Sequence, residues 1–193
     1  HLSVIMKRFS AQYIITNSSP LLKRAVVTTE DDGTVISIED TAGELKEKHS
    51  VEFHNGIIIP GFVNCHCHLE LSHMKGSVTR GAGLGDFVEQ IRSTRDTNKE
   101  KIIKSAYPAD KDMYNEGVSL CADICNTSET FPLKKESRIS YINLLEVFGI
   151  DPDKASRRVE ELFRLSGKAS EMNLSFSLVP HSAYSMSITL LRL

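Results

Sequence analysis

The stretch Pro60-Gly61-Phe62-Val63-Asn64-Cys65-His66-Cys67-His68-Leu69-Glu70 decides how the chain is read. Residues 62–68 form a short apolar run after a Pro-Gly turn, which predicts a strand. Side chains on a strand alternate between faces. His66 and His68 therefore share one side, and Cys65 and Cys67 share the other. Two imidazoles about 6.5–7 Å apart along a strand can converge on one metal ion near the strand's end. A bare His-x-His says little, because solvated strand-end histidines look the same. One that closes a strand behind a β-rich leader says more. Cys-His-Cys-His also spells a structural zinc site, but the alternation sends the thiols away from the imidazoles, so packing cysteines are the better reading.

Upstream, residues 1–59 read as β structure. Residues 12–16, 24–29, 34–38 and 51–53 are β-prone. Glu30-Asp31-Asp32-Gly33 and Asn55-Gly56 are turn signals, and residues 57–59 lead into Pro60. Downstream, residues 60–193 alternate strand and helix. Strands are predicted at 62–68, 118–125, 139–148 and 174–179. Helices are predicted over 86–95, with Phe87, Val88 and Ile91 on its apolar side, and over 98–115. The second has Ile102, Ala106, Ala109 and Met113 on one face and a kink or break at Pro108. Asp151-Pro152 opens another helix as N-cap and first-turn proline, with Val159, Leu162, Phe163 and Ser166 as its buried side. A last helix starts at residue 187. The interval between the second and third strands is short for a crossover. Strands buried on both faces and joined by helices make a parallel sheet, either doubly wound or a barrel.

Composition sets the outer limits. The chain has 193 residues, 23 Lys+Arg against 25 Asp+Glu, a formal net charge of −2 and 40% hydrophobic residues. That balance excludes a disordered chain and a generally basic nucleic-acid binder. No apolar run is long enough to span a membrane as a helix. Residues 7–13 lack the apolar core of a signal peptide, and residues 1–5 read either as vector residues or as an upstream extension, with Met6 a candidate start. Four cysteines, at 65, 67, 121 and 125, suggest free thiols in a reducing cytoplasm. Cys121 and Cys125 share a strand face as small core thiols.

The 60–70 string resembles the metal-binding signature of the amidohydrolase superfamily, in its chlorohydrolase and nucleobase or nucleoside deaminase branch. Gly117-Val118-Ser119 resembles the entry to that family's second barrel strand. Pro180-His181-Ser182-Ala183-Tyr184-Ser185 resembles its motif after the fourth strand, commonly Pro-His-Ala-Pro-Tyr-Ser, with Ser182 and Ala183 departing from it. The resemblance implies an α/β fold: the first half of a TIM (β/α)8 barrel over residues 60–193, preceded over residues 1–59 by part of a small β-sandwich domain. It implies that His66 and His68 are two metal ligands, and that His181 and Glu70 contact a small-molecule substrate. The metal would be Zn2+, or else Fe2+ or another divalent ion. It would lower the pKa of a water so that hydroxide attacks an aromatic amidine carbon and ammonia departs. The implied activity is hydrolysis of carbon–nitrogen bonds other than peptide bonds, first as a deaminase of a purine-like or other heterocyclic amine. Cyclic amide or N-acyl hydrolysis is the alternative within the family, and a non-catalytic metal-binding or assembly fragment is the alternative outside it. His68-Leu69-Glu70-Leu71 is similar to the string in enzymes like aminodeoxyfutalosine deaminase, but four residues do not fix a substrate.

A full barrel takes about 250 residues, so residues 60–193 hold about half of one. The family's remaining ligands and its proton-shuttle Glu are expected beyond Leu193, so no catalytic residue is assigned within the chain. The 193-residue chain alone is expected to lack turnover. Its unclosed sheet would expose an edge and apolar faces, a route to homo-oligomers.

Several residues keep plainer readings. Glu70 is equally a solvated or capping carboxylate, and His181 a loop histidine. Glu146 is an ion-pair member or a wall of the site, and Asp123 is structural, since a buried acid needs a partner. His54 and His73 read as surface histidines, and Lys134-Lys135 and Arg157-Arg158 as solvated faces. Arg80-Gly81-Ala82-Gly83-Leu84-Gly85 follows no strand, so it reads as a flexible loop over the barrel mouth rather than a dinucleotide site.

Overall fold

The structure is a computed structural model and describes residues 6–46, 50–81, 83–95 and 97–193. Residues 1–5, and Ala82 of the glycine-rich string, lie outside the described residues. The chain divides into two compact units, His1–Pro60 and Gly61–Leu193.

In the first unit the described residues form one mixed sheet. Its strands are β1 (Lys7–Ile14), β2 (Leu22–Lys23), β3 (Val26–Thr29), β4 (Val35–Glu39) and β5 (Glu52–Ile58). β1 pairs antiparallel with β2 and β3 and parallel with β5. Ile14, Ala25 and Val27 are its small core, covered by Leu22 and Ile58. β3 and β4 form a hairpin. Its turn is the predicted one: Gly33 N–H donates to the Glu30 carbonyl at 3.1 Å, and Asp32 Oδ1 accepts from Thr34 N–H at 2.8 Å.

Asn55-Gly56 is not a turn, because β5 runs through it. Ala11 pairs with His54 and Tyr13 with Ile57, so β5 carries one residue more than β1 across that step. The dipeptide forms a β-bulge, with Gly56 at φ 151°. An Asn-Gly turn needs its two flanks to pair with each other, and here both pair with β1. A second sheet, which a sandwich requires, is not among the described residues of this unit.

The second unit is a four-stranded, all-parallel sheet in the order β6 (Phe62–Cys67), β7 (Val118–Cys125), β8 (Ser140–Val147), β9 (Phe176–Pro180). A doubly wound sheet reverses its order at a switch point, whereas successive units of a barrel do not. The sequential order here is the barrel's. Helices α1 (Leu84–Arg95), α2 (Lys99–Asn115), α3 (Phe131–Glu136), α4 (Ala155–Glu171) and α5 (Ile188–Leu191) join or follow the strands. The short β7–β8 crossover is met by α3, which has only six residues.

Two clusters fill the space between sheet and helices. One gathers Leu69, Ala106, Cys121, Leu133, Ile139 and Tyr141. The other gathers Cys125, Phe131, Leu145, Leu162 and Ala169. Close strand packing also explains a glycine. A Cβ on Gly61 would lie 2.4 Å from Ser119 Oγ, and beside it Phe62 N–H donates to the Gly117 carbonyl at 2.8 Å.

Three helix expectations are corrected. α2 is unbroken at Pro108. The proline sits on the exposed side, where the Lys104 carbonyl it leaves unpaired can meet water. Meanwhile Ala106, Ala109 and Met113 hold the packed side. On α4 the buried line is Ala155, Leu162 and Ala169, with Leu165 packed beside it. Phe163 is 59% exposed, because that seven-residue line turns it about 100° outward. The apolar side expected of α1 is not buried either: Phe87 is 46% exposed and no residue of that helix is buried.

Candidate functional site

The candidate site is built at the C-terminal ends of the parallel strands, beginning with β6. Asn64 pairs with Cys121 and Cys67 with Asp123, so three steps on β6 match two on β7. This is a β-bulge at Cys65 and His66, a device that re-aims side chains next to sites. Simple alternation therefore fails for the thiols. Cys67 packs into the helix-side cluster, but Cys65 is exposed rather than packed. The imidazoles stay together, with ring centroids 5.2 Å apart and planes at 74°.

β6 is tied down on both sides of the pair. Asn64 Oδ1 accepts from His66 N–H at 3.2 Å. Just beyond His68, Leu69 N–H donates to Asp123 Oδ1 at 2.7 Å. Burial holds the His68 imidazole below its ordinary pKa, helped by His66 and opposed by the Glu146 carboxylate. The neutral ring is the metal-binding form. Among the described residues His68 Nδ1 is also buried without a hydrogen-bond partner. This pair therefore fits two positions of a metal's ligand set. Among the described residues there is no group of three or more His, Cys, Asp or Glu that could hold a metal ion, so the set is not complete there.

Glu70 follows on the 3-10 turn Leu69–Met74 and is only 3% exposed. Its carboxylate accepts from Thr127 Oγ1 at 2.8 Å, Thr127 N–H at 3.0 Å and Asn126 N–H at 3.2 Å. Arg95 at the end of α1 pairs with it at 3.3 Å. Burial raises its pKa, and the Thr127, Arg95 and Asn126 contacts offset part of that rise. Glu70 thus staples the turn after β6 to the loop after β7 and to α1.

His181 lies just past β9. Its Nδ1 is 2.6 Å from Glu146 Oε1, and its ring stands 6.0 Å from Phe148 and 6.4 Å from Tyr184. Asn126 links the two acids. Its backbone N–H donates to Glu70, and its Nδ2 donates to Glu146 Oε2 at 3.2 Å. Its Oδ1 accepts from Arg95 Nη2. Sequence reasoning weighed Glu146 but missed Arg95, Asn126 and Thr127. Nothing in a loop Asn or Thr marks it as a node.

Two surface readings are corrected. The Lys134 side chain is fully buried, 2.5 Å from Asp123 Oδ2, 2.8 Å from Asn143 Oδ1 and 3.0 Å from Cys125 Sγ. Burial works against its charge, but Asp123 and Cys125 outweigh it, and the pKa stands above the usual lysine value. Phe131 and Lys134 are three apart on α3 and so share its inward face. His73 is half-buried, its ring nitrogens 3.0 Å from the Glu70 carbonyl and 3.4 Å from that of Thr94. His54 is exposed, as read. A cleft of about 190 Å³ lies beside Glu70, lined also by His73, Arg95, Lys99, Thr127 and Glu129. His66 and His68 are not in its wall. Its charges are paired, Arg95 with Glu70 and Lys99 with Glu129 at 3.0 Å.

This fold is shared with solved structures of deaminases and a chlorohydrolase. Helicobacter pylori aminofutalosine deaminase in complex with methylthio-coformycin matches with a TM-score of 0.74 at 22% identity, over 93% of this chain and 45% of that one. Guanine deaminase from C. acetobutylicum with bound guanine matches with a TM-score of 0.70 at 18% identity, over 96% and 48%. Atrazine chlorohydrolase from Arthrobacter aurescens TC1 complexed with zinc matches with 0.71 at 13% identity, over 95% and 48%. The chain therefore spans about half the length of these proteins. No family model matches the sequence, and no curated protein matches it. Among the described residues no helix is long and apolar enough to cross a membrane.

Proposed function

We propose that the chain carries one metal-ligating pair and part of the substrate wall of a metal-dependent hydrolase. Its targets are carbon–nitrogen bonds other than peptide bonds, and its activity is that of a deaminase of a purine-like or other heterocyclic amine. The observation that carries this is the His66–His68 pair, with rings 5.2 Å apart at the C-terminal end of the first strand of a sequentially ordered parallel sheet. Sites of barrels lie at that end. The solved structures that share the fold support the reading.

In it, His66 and His68 hold a divalent metal, zinc first, which when bound supplies an activated water. His181 meets the substrate directly. Glu70, whose oxygens are engaged by Thr127, Asn126 and Arg95, shapes the wall through them. The remaining ligands and the proton shuttle come from outside the described residues. The second unit is the first half of a closed barrel, and the first unit is part of a small β-sandwich. The protein works in the cytoplasm on a small-molecule substrate.

The test is ammonia release from a panel of amino-substituted purines and other heterocycles, with zinc added. It is run on the 193-residue chain and on any longer reading frame that contains it. Release by the longer form, lost in His66→Ala, is expected, with none from the 193-residue chain. A longer form inert toward the whole panel, or full activity in His66→Ala, overturns the reading. Zinc content of the chain after dialysis should also drop in His66→Ala and His68→Ala, and equal content in all three removes the ligand assignment.

A further inference from the structure

We infer that Glu146 is a positioning residue for His181: it holds the ring proton on Nδ1 and leaves Nε2 as the nitrogen that faces the substrate. The inference rests on the reading of His181 as a substrate contact. The geometry is short and one-sided. Nδ1 of His181 is 2.6 Å from Glu146 Oε1, and the Glu146 side chain is 6% exposed while that of His181 is 41% exposed. An ionised carboxylate only accepts, so the proton between the two atoms belongs to the imidazole. The contact is shorter than the roughly 2.7–2.9 Å usual for a nitrogen donor on a carboxylate.

The carboxylate is itself held. Asn126 Nδ2 donates to Glu146 Oε2 and to the Glu146 carbonyl, both at 3.2 Å. Asn126 is in turn fixed by Arg95, and its backbone N–H is fixed by Glu70. The network therefore runs from the turn after β6, through the loop after β7, to the end of β8 and the residue past β9. The rings of Tyr184 and Phe148 stand 6.4 and 6.0 Å from that of His181. A histidine in a surface loop would exchange its ring proton between Nδ1 and Nε2 through solvent. This one has its orientation chosen by an acid that solvent barely reaches. An orienting second partner of this kind is how histidines are commonly prepared for ligands and protons.

The experiment is nitrogen-15 NMR of the imidazoles in the 193-residue chain at about pH 8.5, above the ordinary histidine titration, with His181 assigned through His181→Gln. Neither metal nor substrate is added, so the outcome is independent of the zinc and ammonia measurements. The expected spectrum shows Nδ1 of His181 protonated in the wild type. The proton moves largely to Nε2 in Glu146→Ala, and Nδ1 protonation returns in Glu146→Gln, which keeps an acceptor oxygen. Asn126→Ala should give a smaller shift in the same direction. A wild-type spectrum with Nδ1 unprotonated overturns the inference without any variant. So does a folded Glu146→Ala whose His181 signals match the wild type. If Glu146→Ala does not fold, the wild-type spectrum and Glu146→Gln decide.

Discussion

The two faces of the four-stranded sheet use the same chemistry for opposite ends. On the helix side, Asp123 and Lys134 form an acid–cation pair with both side chains 0% exposed. At the strand ends, Glu146 and His181 form another, with the acid 6% exposed and the base 41%. In the first, every strong group is used up inside the protein: Asp123 also takes Leu69 N–H, and Lys134 also donates to Asn143 and Cys125. In the second, one nitrogen of the base is left over. A pair closed at both ends fixes the fold, and a pair open at one end can address a ligand. β8 shows the same split residue by residue. Tyr141, Asn143 and Leu145 are buried toward the helices, while Ile142, between Tyr141 and Asn143, is 39% exposed.

The largest test of this contrast is to break the closed pair. Lys134→Ala leaves Asp123 buried and unpaired and should cost about 3–5 kcal/mol. That would show as a large drop in the urea midpoint, or as loss of the folded state. Removing both charges, with Lys134→Met and Asp123→Leu together, should recover much of the loss, though Leu69 N–H then lacks its acceptor. A cost for Lys134→Ala within the range of an exposed ion pair, below about 1 kcal/mol, would mean that the helix-side pair is not closed at all.

A smaller effect separates the faces within one strand. Leu145 is 0% exposed in the cluster with Phe131 and Leu162, so Leu145→Ala should cost about 2–5 kcal/mol. Ile142→Ala removes a side chain already 39% exposed and should cost clearly less. Both can be read from denaturation midpoints of the same 193-residue chain. Equal costs would erase the distinction between the faces.

Much of this was legible from residues, and the reason differs by feature. The order of strands and helices in the second unit follows from apolar runs and helical spacing, both local. The His66–His68 pairing survives because two residues two apart stay neighbours even across a bulge. The bulge itself was not legible: it is a register mismatch with β7, and no residue type on β6 announces it, so Cys65 was misplaced. Asn55-Gly56 misled for the same reason, since whether such a dipeptide turns or bulges depends on which strand its flanks pair with. Lys134 was readable with more care. Asp123 in an apolar strand demanded a partner, and Phe131 three residues before Lys134 marked the inward face of α3. The Arg95–Asn126–Glu146 links join three separate loops and strand ends, a relation set only by the completed fold.

The smallest expected effect costs no stability and concerns the thiols. Cys65 is exposed, whereas Cys121 and Cys125 are 0% exposed. Two forces compete in setting thiol reactivity, acidity and access. By acidity, Cys121 should lead, because a hydrogen bond from Cys67 draws its thiol below the ordinary cysteine pKa, while Cys67 is raised by the same bond. Cys125 should trail, since burial pushes its thiol up to about 12 despite the nearby Lys134 charge. By access, Cys65 should lead, and the partly exposed Cys67 is set behind it by its raised pKa. A reagent molecule must reach the sulfur before thiolate character matters, so access decides here. An aromatic disulfide reagent at neutral pH should therefore release one equivalent per chain in a fast phase, and Cys65→Ser should abolish that phase. Two fast equivalents, or a fast phase that survives Cys65→Ser, would show that the helix side of the sheet opens to solvent readily, and the contrast between a closed face and an open one would fail with it.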